Sequence, residues 1–342
     1  MSDALATLVV VPRDHFGDTE ESLESVLAHT ERPYELVVVD GGSPRAAAAY
    51  LRSAQARAGF RLVRTEHPLS PNQARNLGAA GVATRYVVFL DNDVVVAPGW
   101  LPPLVACAEE TGAALVGPAV FEGRPLHTRV HFTGGEARVE PAASGGRGHL
   151  VDRIHKDDPL GERRRTGCAE FHCVLVRTAD FARLGGLDER LLSTRENIDF
   201  CMAVAAAGGS IWLEPRSRIT YLPPDPLRAS DVRYFALRWS DAWDRASFEH
   251  LRDKWNLVED AYFEEQYRIL GWRRREMLME RGLLRWLPAT RLRIAAERAL
   301  RPLERVVNGW WARRETPRIG ALAGARARGA ATPAAVPPRP PS

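Results

Sequence analysis

Short runs of aliphatic residues alternate with helical patterns through the first half of the chain. Runs such as 8–11 and 36–39 are entirely aliphatic, which is typical of strands buried on both faces. The predicted strands are 8–11, 36–39, 60–63 and 86–90. Of the predicted helices between them, the first runs from Asp18 to about Thr30, the second ends at about Ala58, and the third begins at about Pro71. Strand–helix repetition at this spacing implies right-handed crossovers and a mostly parallel sheet. We therefore predict an α/β fold, a Rossmann-like sheet flanked by helices, with ligands bound beyond the carboxyl ends of the strands.

Local signals place the ends of several elements. Asp18 and Glu21 have the spacing of a capping box at the start of the first helix. A later helix is predicted to start at about Glu196, and Gly208-Gly209 is typical of its end. A strand is predicted at 172–176 and a strand pair at 211–214 and 218–222. Residues 122–168 are rich in Gly, Arg and His, which predicts an irregular excursion with one possible hairpin at 132–135.

Composition divides the chain further. We predict a main domain over 1–228, with halves of about 1–120 and 121–228, and a helical extension rich in Trp and Arg over 229–315. Residues 316–342 are Ala, Arg and Pro-rich, which predicts a disordered tail.

The overall composition is ordinary for a soluble enzyme, with 342 residues, 45% apolar and 26% charged. No apolar run reaches the ~18 residues of a membrane-spanning helix, and the first residues lack the features of a signal peptide. The four cysteines form no Cys-x-x-Cys pair, which argues against a disulfide framework or a structural zinc site. We therefore expect a cytoplasmic protein.

Charge is distributed unevenly along the chain. Residues 271–342 contain 16 Arg against 5 Glu, whereas the preceding 270 residues contain 31 basic and 38 acidic groups. An acidic body with a basic tail is unlike a nucleic-acid-binding domain, so we expect no nucleic-acid partner. Apolar residues recur at helical spacing from Leu292 to Trp310, with arginines on the other face and Pro302 predicted to kink the helix. This pattern suits peripheral contact with the inner face of an anionic membrane, or packing against the main domain or a second subunit.

The sharpest chemical signal is Asp91-Asn92-Asp93, directly after the strand at 86–90. Two carboxylates in this arrangement can hold Mn²⁺ or Mg²⁺, which in turn binds phosphate oxygens. Such a cation neutralises the charge that develops on a departing nucleoside diphosphate. The residue pattern therefore indicates chemistry on a phosphorylated substrate.

Six segments together resemble the family 2 glycosyltransferases with the GT-A fold. Any one of them is a weak signal, but they occur in the family's order between about residues 5 and 225. They are Val11-Pro12-Arg13, Val38-Val39-Asp40-Gly41-Gly42-Ser43, Ala74-Arg75-Asn76-Leu77-Gly78, Phe89-Leu90-Asp91-Asn92-Asp93, Gly185-Gly186-Leu187-Asp188-Glu189 and Glu196-Asn197-Ile198-Asp199-Phe200-Cys201.

The resemblance implies inverting transfer of a sugar from a nucleotide sugar to a hydroxyl acceptor. It places the nucleotide-sugar half at about 1–120 and the acceptor half at about 121–228. Asp40 would read the base edge, which favours a UDP- or dTDP-sugar, and Asp91 and Asp93 would form the ribose and metal pair, with Asp93 the direct ligand. The acceptor would be a glycan or a lipid-linked hydroxyl in cell-envelope synthesis. The residues expected to bind the nucleotide sugar are Pro12, Arg13, Asp14, Asp40, Arg75, Asp91 and Asn92.

Two positions leave alternatives open. Arg75 either lies near the donor or forms a structural ion pair with a strand-end aspartate. The family commonly has Glu-Asp at the start of the late helix, with the aspartate as catalytic base, but this chain has Glu196-Asn197, and asparagine cannot accept the proton. Glu196 and Asp199, which share a helix face, are the remaining candidates for the base, and a catalytically impaired chain is the third possibility.

The metal site also departs from the family pattern. Relatives often supply a histidine after the final strand, whereas residues 219–224 contain none, and Tyr221 is a poor substitute. His172 is a candidate ligand, although a lone histidine in a strand is more often simply packed.

Two other function classes compete with sugar transfer. A nucleotidyltransferase would share the sheet and the acidic site, but it would normally have a Gly-rich phosphate loop after its first strand. A non-catalytic scaffold that binds nucleotide sugars or glycans would explain Asn197 and the missing histidine.

Overall fold

The computed structural model describes residues 3–142, 145–156, 160–223, 227–287 and 291–330. In its first half, strands β4, β1, β2 and β3 lie side by side in that order, and each neighbouring pair is parallel. This confirms the predicted strand–helix alternation. The elements are β1 (Ala6–Val11), α1 (Thr19–His29), β2 (Glu35–Gly41), α2 (Arg45–Ala58), β3 (Arg61–Thr65), α3 (Pro71–Ala79), β4 (Tyr86–Asp91), β5 (Val94–Val96) and α4 (Leu101–Thr111).

The second half extends the sheet beyond β4 with strands that run both ways. Its elements are β6 (Leu115–Glu122), β7 (Val130–Phe132), β8 (Gly135–Pro141), β9 (Gly148–Ile154), β10 (Arg164–Thr166), β11 (Cys173–Arg177), α5 (Thr178–Arg183), α6 (Glu196–Ala206) and β12 (Ile211–Tyr221). The strand order is β10-β12-β6-β11-β4-β1-β2-β3, with β11 antiparallel to both of its neighbours. The fold is α/β as predicted, but the complete sheet is mixed rather than mostly parallel.

The excursion at 122–168 is more regular than its composition suggests. Strands β8 and β9 pair in antiparallel register from Gly135–Ile154 to Pro141–Gly148 and form a separate two-stranded sheet. The predicted hairpin at 132–135 is wrong, because this segment links β7 of the main sheet to β8 of the small one.

Side chains of the central strands alternate between two apolar cores. Val9 and Val11 pack on one face of the sheet with Val37, whereas Leu8 and Val10 pack on the other. All five are at least 96% buried, as expected of strands covered by helices on both faces. This packing fixes the strand ends that carry the site residues described in the next subsection.

Several element ends differ from the sequence prediction. Asp18 precedes α1 but makes no side-chain cap, whereas Ser70 and Gln73 form a reciprocal capping box at the start of α3. The strand pair predicted at 211–214 and 218–222 is one strand, β12, whose register shifts between Glu214 and Arg218. Gly208, with a φ of +79°, lies just beyond α6 where the helix end was predicted.

The chain beyond 231 is helical, which confirms a C-terminal helical extension. It contains α7 (Val232–Arg238), α8 (Asp241–Lys254), α9 (Ala261–Arg268), α10 (Trp272–Arg275), a π-helix (Glu276–Leu283) and α11 (Arg291–Ala330). Helix α11 runs through Pro302 and on to Ala330, beyond the start of the predicted disordered tail, and residues 331–342 lie outside the described part of the chain. The four cysteines are free, and no described helix is both long and apolar enough to cross a lipid bilayer.

Candidate active site

Charged side chains converge where β1 and β4 end and α6 begins. Arg13 links them: its Nε lies 3.6 Å from Asp91 and 3.9 Å from Asp14, and its Nη1 contacts Glu196. Asp93 belongs to the same group, within 4.8 Å of Asp91. The structure thus brings together five residues that the sequence analysis selected from three separate segments.

Asp91 is completely buried, and both of its oxygens are already held. Arg75 donates to Oδ1 at 2.8 Å, and Nδ1 of His172 lies 3.1 Å from Oδ2. Arg75, also completely buried, donates to the Phe171 carbonyl at 3.1 Å. Burial favours a higher pKa for Asp91, but the guanidinium groups of Arg75 and Arg13 outweigh it and hold this pKa below its usual range. Of the two roles left open for Arg75, the structure shows the ion pair with a strand-end aspartate.

Asp93 is equally buried, but neither of its oxygens has a hydrogen-bond partner in the described structure. Burial, followed by the charges of Asp91 and Asp14, raises the pKa of Asp93 well above its usual value. The nearest basic atom is Nε2 of His15 at 3.8 Å. A buried carboxylate without a partner is costly, and a divalent cation would satisfy it. Asp91, Asp93 and His172 each offer one ligand atom within 4.8 Å of the others, so the residues fit a cation held chiefly by Asp93.

Glu196 starts α6 and lies among three guanidinium groups. Arg13 donates to its Oε1, and nitrogens of Arg75 and Arg238 lie 3.7 Å from the same oxygen. Against the effect of burial, these arginines hold the pKa of Glu196 below its usual range. Arg13, Arg75 and Arg238 also carry buried nitrogens without hydrogen-bond partners in the described structure. In this state Glu196 is a weak proton acceptor, and the arginines have N–H groups left to bind an anion.

Asp199 and Asn197 face other surroundings. Lys254 and Trp255 each donate to an oxygen of Asp199 at 2.8 Å. The Asn197 amide donates to the Ala169 carbonyl at 3.4 Å. Glu196 and Asp199 therefore do not share partners, although they lie one helical turn apart.

Asn92 holds the loop after β1 in place. Its amide donates to the His15 carbonyl at 2.7 Å and to Thr19 Oγ1 at 2.8 Å, and its Oδ1 accepts from the Arg13 backbone N–H at 2.9 Å. All three contacts are internal to the protein, so the geometry gives Asn92 a positioning role. Its predicted contact with the nucleotide sugar stays a prediction.

Asp40 lies at the end of β2, apart from the Asp91 group. Its Oδ1 accepts from the Ser43 backbone N–H at 2.8 Å, and its Oδ2 forms an ion pair with Arg64. Because each carboxylate oxygen can accept a second hydrogen bond, these partners do not exclude contact with a base, which stays a prediction. Pro12 is buried nearby, and its carbonyl accepts a 3.4 Å hydrogen bond from Tyr234 of α7.

Comparison with known proteins identifies this arrangement. The family model described as "Glycosyl transferase family 2" matches residues 16–141, a range that includes Asp40, Arg75, Asp91 and Asp93. Residues 16–141 therefore resemble glycosyltransferase family 2. The matched range ends before α6, so the roles of Glu196 and Asp199 depend on the motif resemblance alone.

Two curated relatives of this chain are glycan-related by name. A pre-mycofactocin glycosyltransferase of Mycobacterium tuberculosis is 28% identical over 45% of this chain and 30% of its own length. The O-antigen biosynthesis protein RfbC of Myxococcus xanthus is 26% identical over 66% of this chain and 18% of its own length. The chain spans less than a third of the length of the curated relatives it matches.

A solved structure supports the GT-A fold. The crystal structure of GalNAc-T7 with UDP, GalNAc and Mn²⁺ matches 81% of this chain and 55% of its own, with a TM-score of 0.53 and 17% identity. This likeness concerns the fold alone.

The C-terminal extension covers part of the candidate active site. Nε1 of Trp239 donates to Asp14 at 3.2 Å, and Arg273 donates to the other Asp14 oxygen at 3.2 Å. Arg273 also donates to the hydroxyl of Tyr221, the residue at which a histidine was expected by resemblance. Burial favours a higher pKa for Asp14, but the charges of Arg273 and Arg13 outweigh it and hold this pKa below its usual range. No sequence signal indicated Arg273 or Tyr234, because no motif marks the extension.

An open cavity of about 780 Å³ lies beside the site, bordered by His15, which approaches Asp93. Against three carboxylates its lining contains five arginines, an excess of positive charge that suits an anionic ligand. The arginines are Arg124, Arg129, Arg228, Arg273 and Arg281.

Proposed function

We propose that this chain transfers a sugar, with inversion, from a nucleoside-diphosphate sugar to a hydroxyl group of a glycan or lipid-linked acceptor. The observation that carries the proposal is Asp93, a buried carboxylate with both oxygens unpartnered in the described structure, two positions after an Asp91 that is fully paired. Asp93 would hold Mn²⁺ or Mg²⁺, which when bound neutralises negative charge on the departing diphosphate.

The arginines around Glu196 would bind the diphosphate. Arg13 and Arg238 have buried N–H groups without acceptors in the described structure, and phosphate oxygens are strong acceptors for guanidinium groups. A diphosphate bound there would draw these arginines away from Glu196. Glu196 would then be free to take the proton of the acceptor hydroxyl, with Asp199 as the second candidate for the base.

Turnover of nucleotide sugars tests the proposal. The full chain is incubated with UDP-, dTDP- and GDP-sugars in Mn²⁺ or Mg²⁺. NMR follows the release of the nucleoside diphosphate and the anomeric configuration of the product. We expect cation-dependent release from one donor and an inverted product. Nucleotide binding without release, even with glycan and lipid-linked acceptors, would favour the scaffold alternative. Pyrophosphate release from a nucleoside triphosphate and a sugar phosphate would favour a nucleotidyltransferase.

We further propose that α11 rests on an anionic membrane near its acceptor, on the cytoplasmic side. Leu303, Val306, Val307 and Trp310 are each more than half exposed, so most of the predicted apolar stripe is not packed on the main domain. They lie on the same helix as exposed arginines such as Arg305, which suits anionic headgroups.

Replacing Leu303 with aspartate should weaken binding to phosphatidylserine vesicles roughly tenfold or more, because burial of one leucine contributes about 1.5–3 kcal/mol. Co-sedimentation measures the effect. Leu5→Asp is the matched control, since Leu5 is 50% exposed but lies far from α11 in sequence, at the start of the chain. Equal binding of the wild type and Leu303→Asp would contradict membrane contact, and a concentration-dependent dimer lost in Leu303→Asp would favour the second-subunit alternative.

A further inference from the structure

Next to the candidate active site lies a second group of metal-ligating side chains. His131 is in β7, and Glu170 and His172 precede β11. Each of the three offers one ligand atom within 4.8 Å of the others. Their side chains are 19%, 14% and 7% exposed, respectively, so the group is largely enclosed yet reachable from solvent.

Both histidines use Nδ1 to contact a carboxylate. Nδ1 of His131 lies 3.3 Å from Oε2 of Glu122, and Nδ1 of His172 lies 3.1 Å from Oδ2 of Asp91. An ionised carboxylate only accepts, so each Nδ1 carries the proton. Nε2 is then the nitrogen with a free electron pair in each neutral ring.

Glu170 adds a third electron-pair donor to this group. Its Oε2 lies 3.8 Å from Nε2 of His172, and no lysine or arginine lies within ion-pair distance of it in the described structure. Two imidazole nitrogens and a carboxylate that converge without a positive charge among them repel one another. A bound cation would remove that repulsion.

We propose that His131, Glu170 and His172 bind a divalent transition-metal ion of the zinc class, at a site that shares His172 with the Asp91–Asp93–His172 group but does not include Asp93. Two histidines and one carboxylate form a ligand set typical of zinc sites that keep an open position. In such sites each ligating histidine donates its other N–H to a carboxylate, as His131 and His172 do here to Glu122 and Asp91.

The open position would bind an oxygen of the acceptor and lower the pKa of its hydroxyl group, which would compensate for the asparagine at position 197. That use rests on the proposed function. Metal binding itself does not, and it is measured without turnover.

Zinc titration of the tag-free full chain tests the site. All variants are made in the Asp93→Asn protein, the background, because this substitution removes the carboxylate proposed to hold the other cation. Zn²⁺ alone is the probe in calorimetry and in metal analysis after gel filtration. We expect one tightly bound zinc ion, and Co²⁺ in its place should give the visible absorption of a low-coordinate nitrogen and oxygen site. Glu170→Gln and His131→Gln should abolish both signals.

Two further variants sharpen the result. Glu122→Gln removes only an outer partner and should weaken zinc binding ~10–100-fold. His149→Gln, which breaks a histidine–carboxylate pair with Asp260 elsewhere on the surface, should change nothing. Circular dichroism confirms that each variant folds. Zinc binding that is equal in Glu170→Gln, His131→Gln and the background protein, or absent from all of them, would overturn the proposal whether or not the chain transfers sugar.

Discussion

Replacing Asp93 with asparagine should make the cation-free protein more stable and remove its response to Mn²⁺. The carboxylate is buried beside Asp91 and Asp14 and has no partner in the described structure. Because its pKa is raised in the folded state, this group favours folding below its unfolded pKa, and that contribution is lost as pH rises towards the folded pKa. At neutral pH the substitution should therefore add about 1–3 kcal/mol, the usual cost of a buried unsatisfied group.

Urea unfolding at acidic and neutral pH, with and without Mn²⁺, measures both effects. Wild type should gain about 2.7 kcal/mol when Mn²⁺ is present at a hundred times its dissociation constant, and Asp93→Asn should gain almost nothing. Asp231→Asn is the matched control. Asp231 is also buried, has an unpartnered Oδ2 in the described structure and a raised pKa, but it does not belong to the Asp91–Asp93–His172 group. Equal stabilisation of wild type and Asp93→Asn by Mn²⁺ would show that the cation binds elsewhere.

Arg75→Met should destabilise the protein by about 3–5 kcal/mol, because it removes one partner of a completely buried ion pair and leaves the charge of Asp91 behind. Arg85→Met is the matched control: Arg85 pairs with Glu109 at the same 2.8 Å, but its side chain is 58% exposed, so the loss should stay below about 1 kcal/mol. The free energy of unfolding in urea distinguishes the two. An Arg75→Met protein of normal stability that no longer binds nucleotide would instead assign Arg75 to the donor.

The sequence predicts the part of the site that depends on local order. Asp91 and Asp93 follow a buried strand, and the carboxyl end of a parallel strand is where ligands bind. Only the family resemblance distinguishes Asp93 as the direct ligand; the local residue pattern does not, because the difference between the two aspartates arises from partners elsewhere. Arg75 reaches Asp91 from α3, and His172 reaches it from a position 81 residues further along the chain.

Other features could not be predicted because they depend on tertiary contacts. Pro215 separates two apolar runs and suggests a break, yet β12 continues past it, with a register shift between Glu214 and Arg218. His131 and Glu170 lie in or next to a stretch of mixed composition, and only the pairing of β6, β7 and β11 brings them to His172. Arg273 comes from a helix far from any motif.

Release of the nucleoside diphosphate from the donor that the wild type uses, measured in Mn²⁺ for wild type, Asp93→Asn and Asp231→Asn, decides whether Asp93 holds the cation that turnover needs. We predict cation-dependent release by the wild type and by Asp231→Asn, and a rate at least about a thousandfold lower in Asp93→Asn, because the transition-state charge loses its counter-ion. Release by Asp93→Asn at the wild-type rate, or release that is independent of the cation, would contradict it.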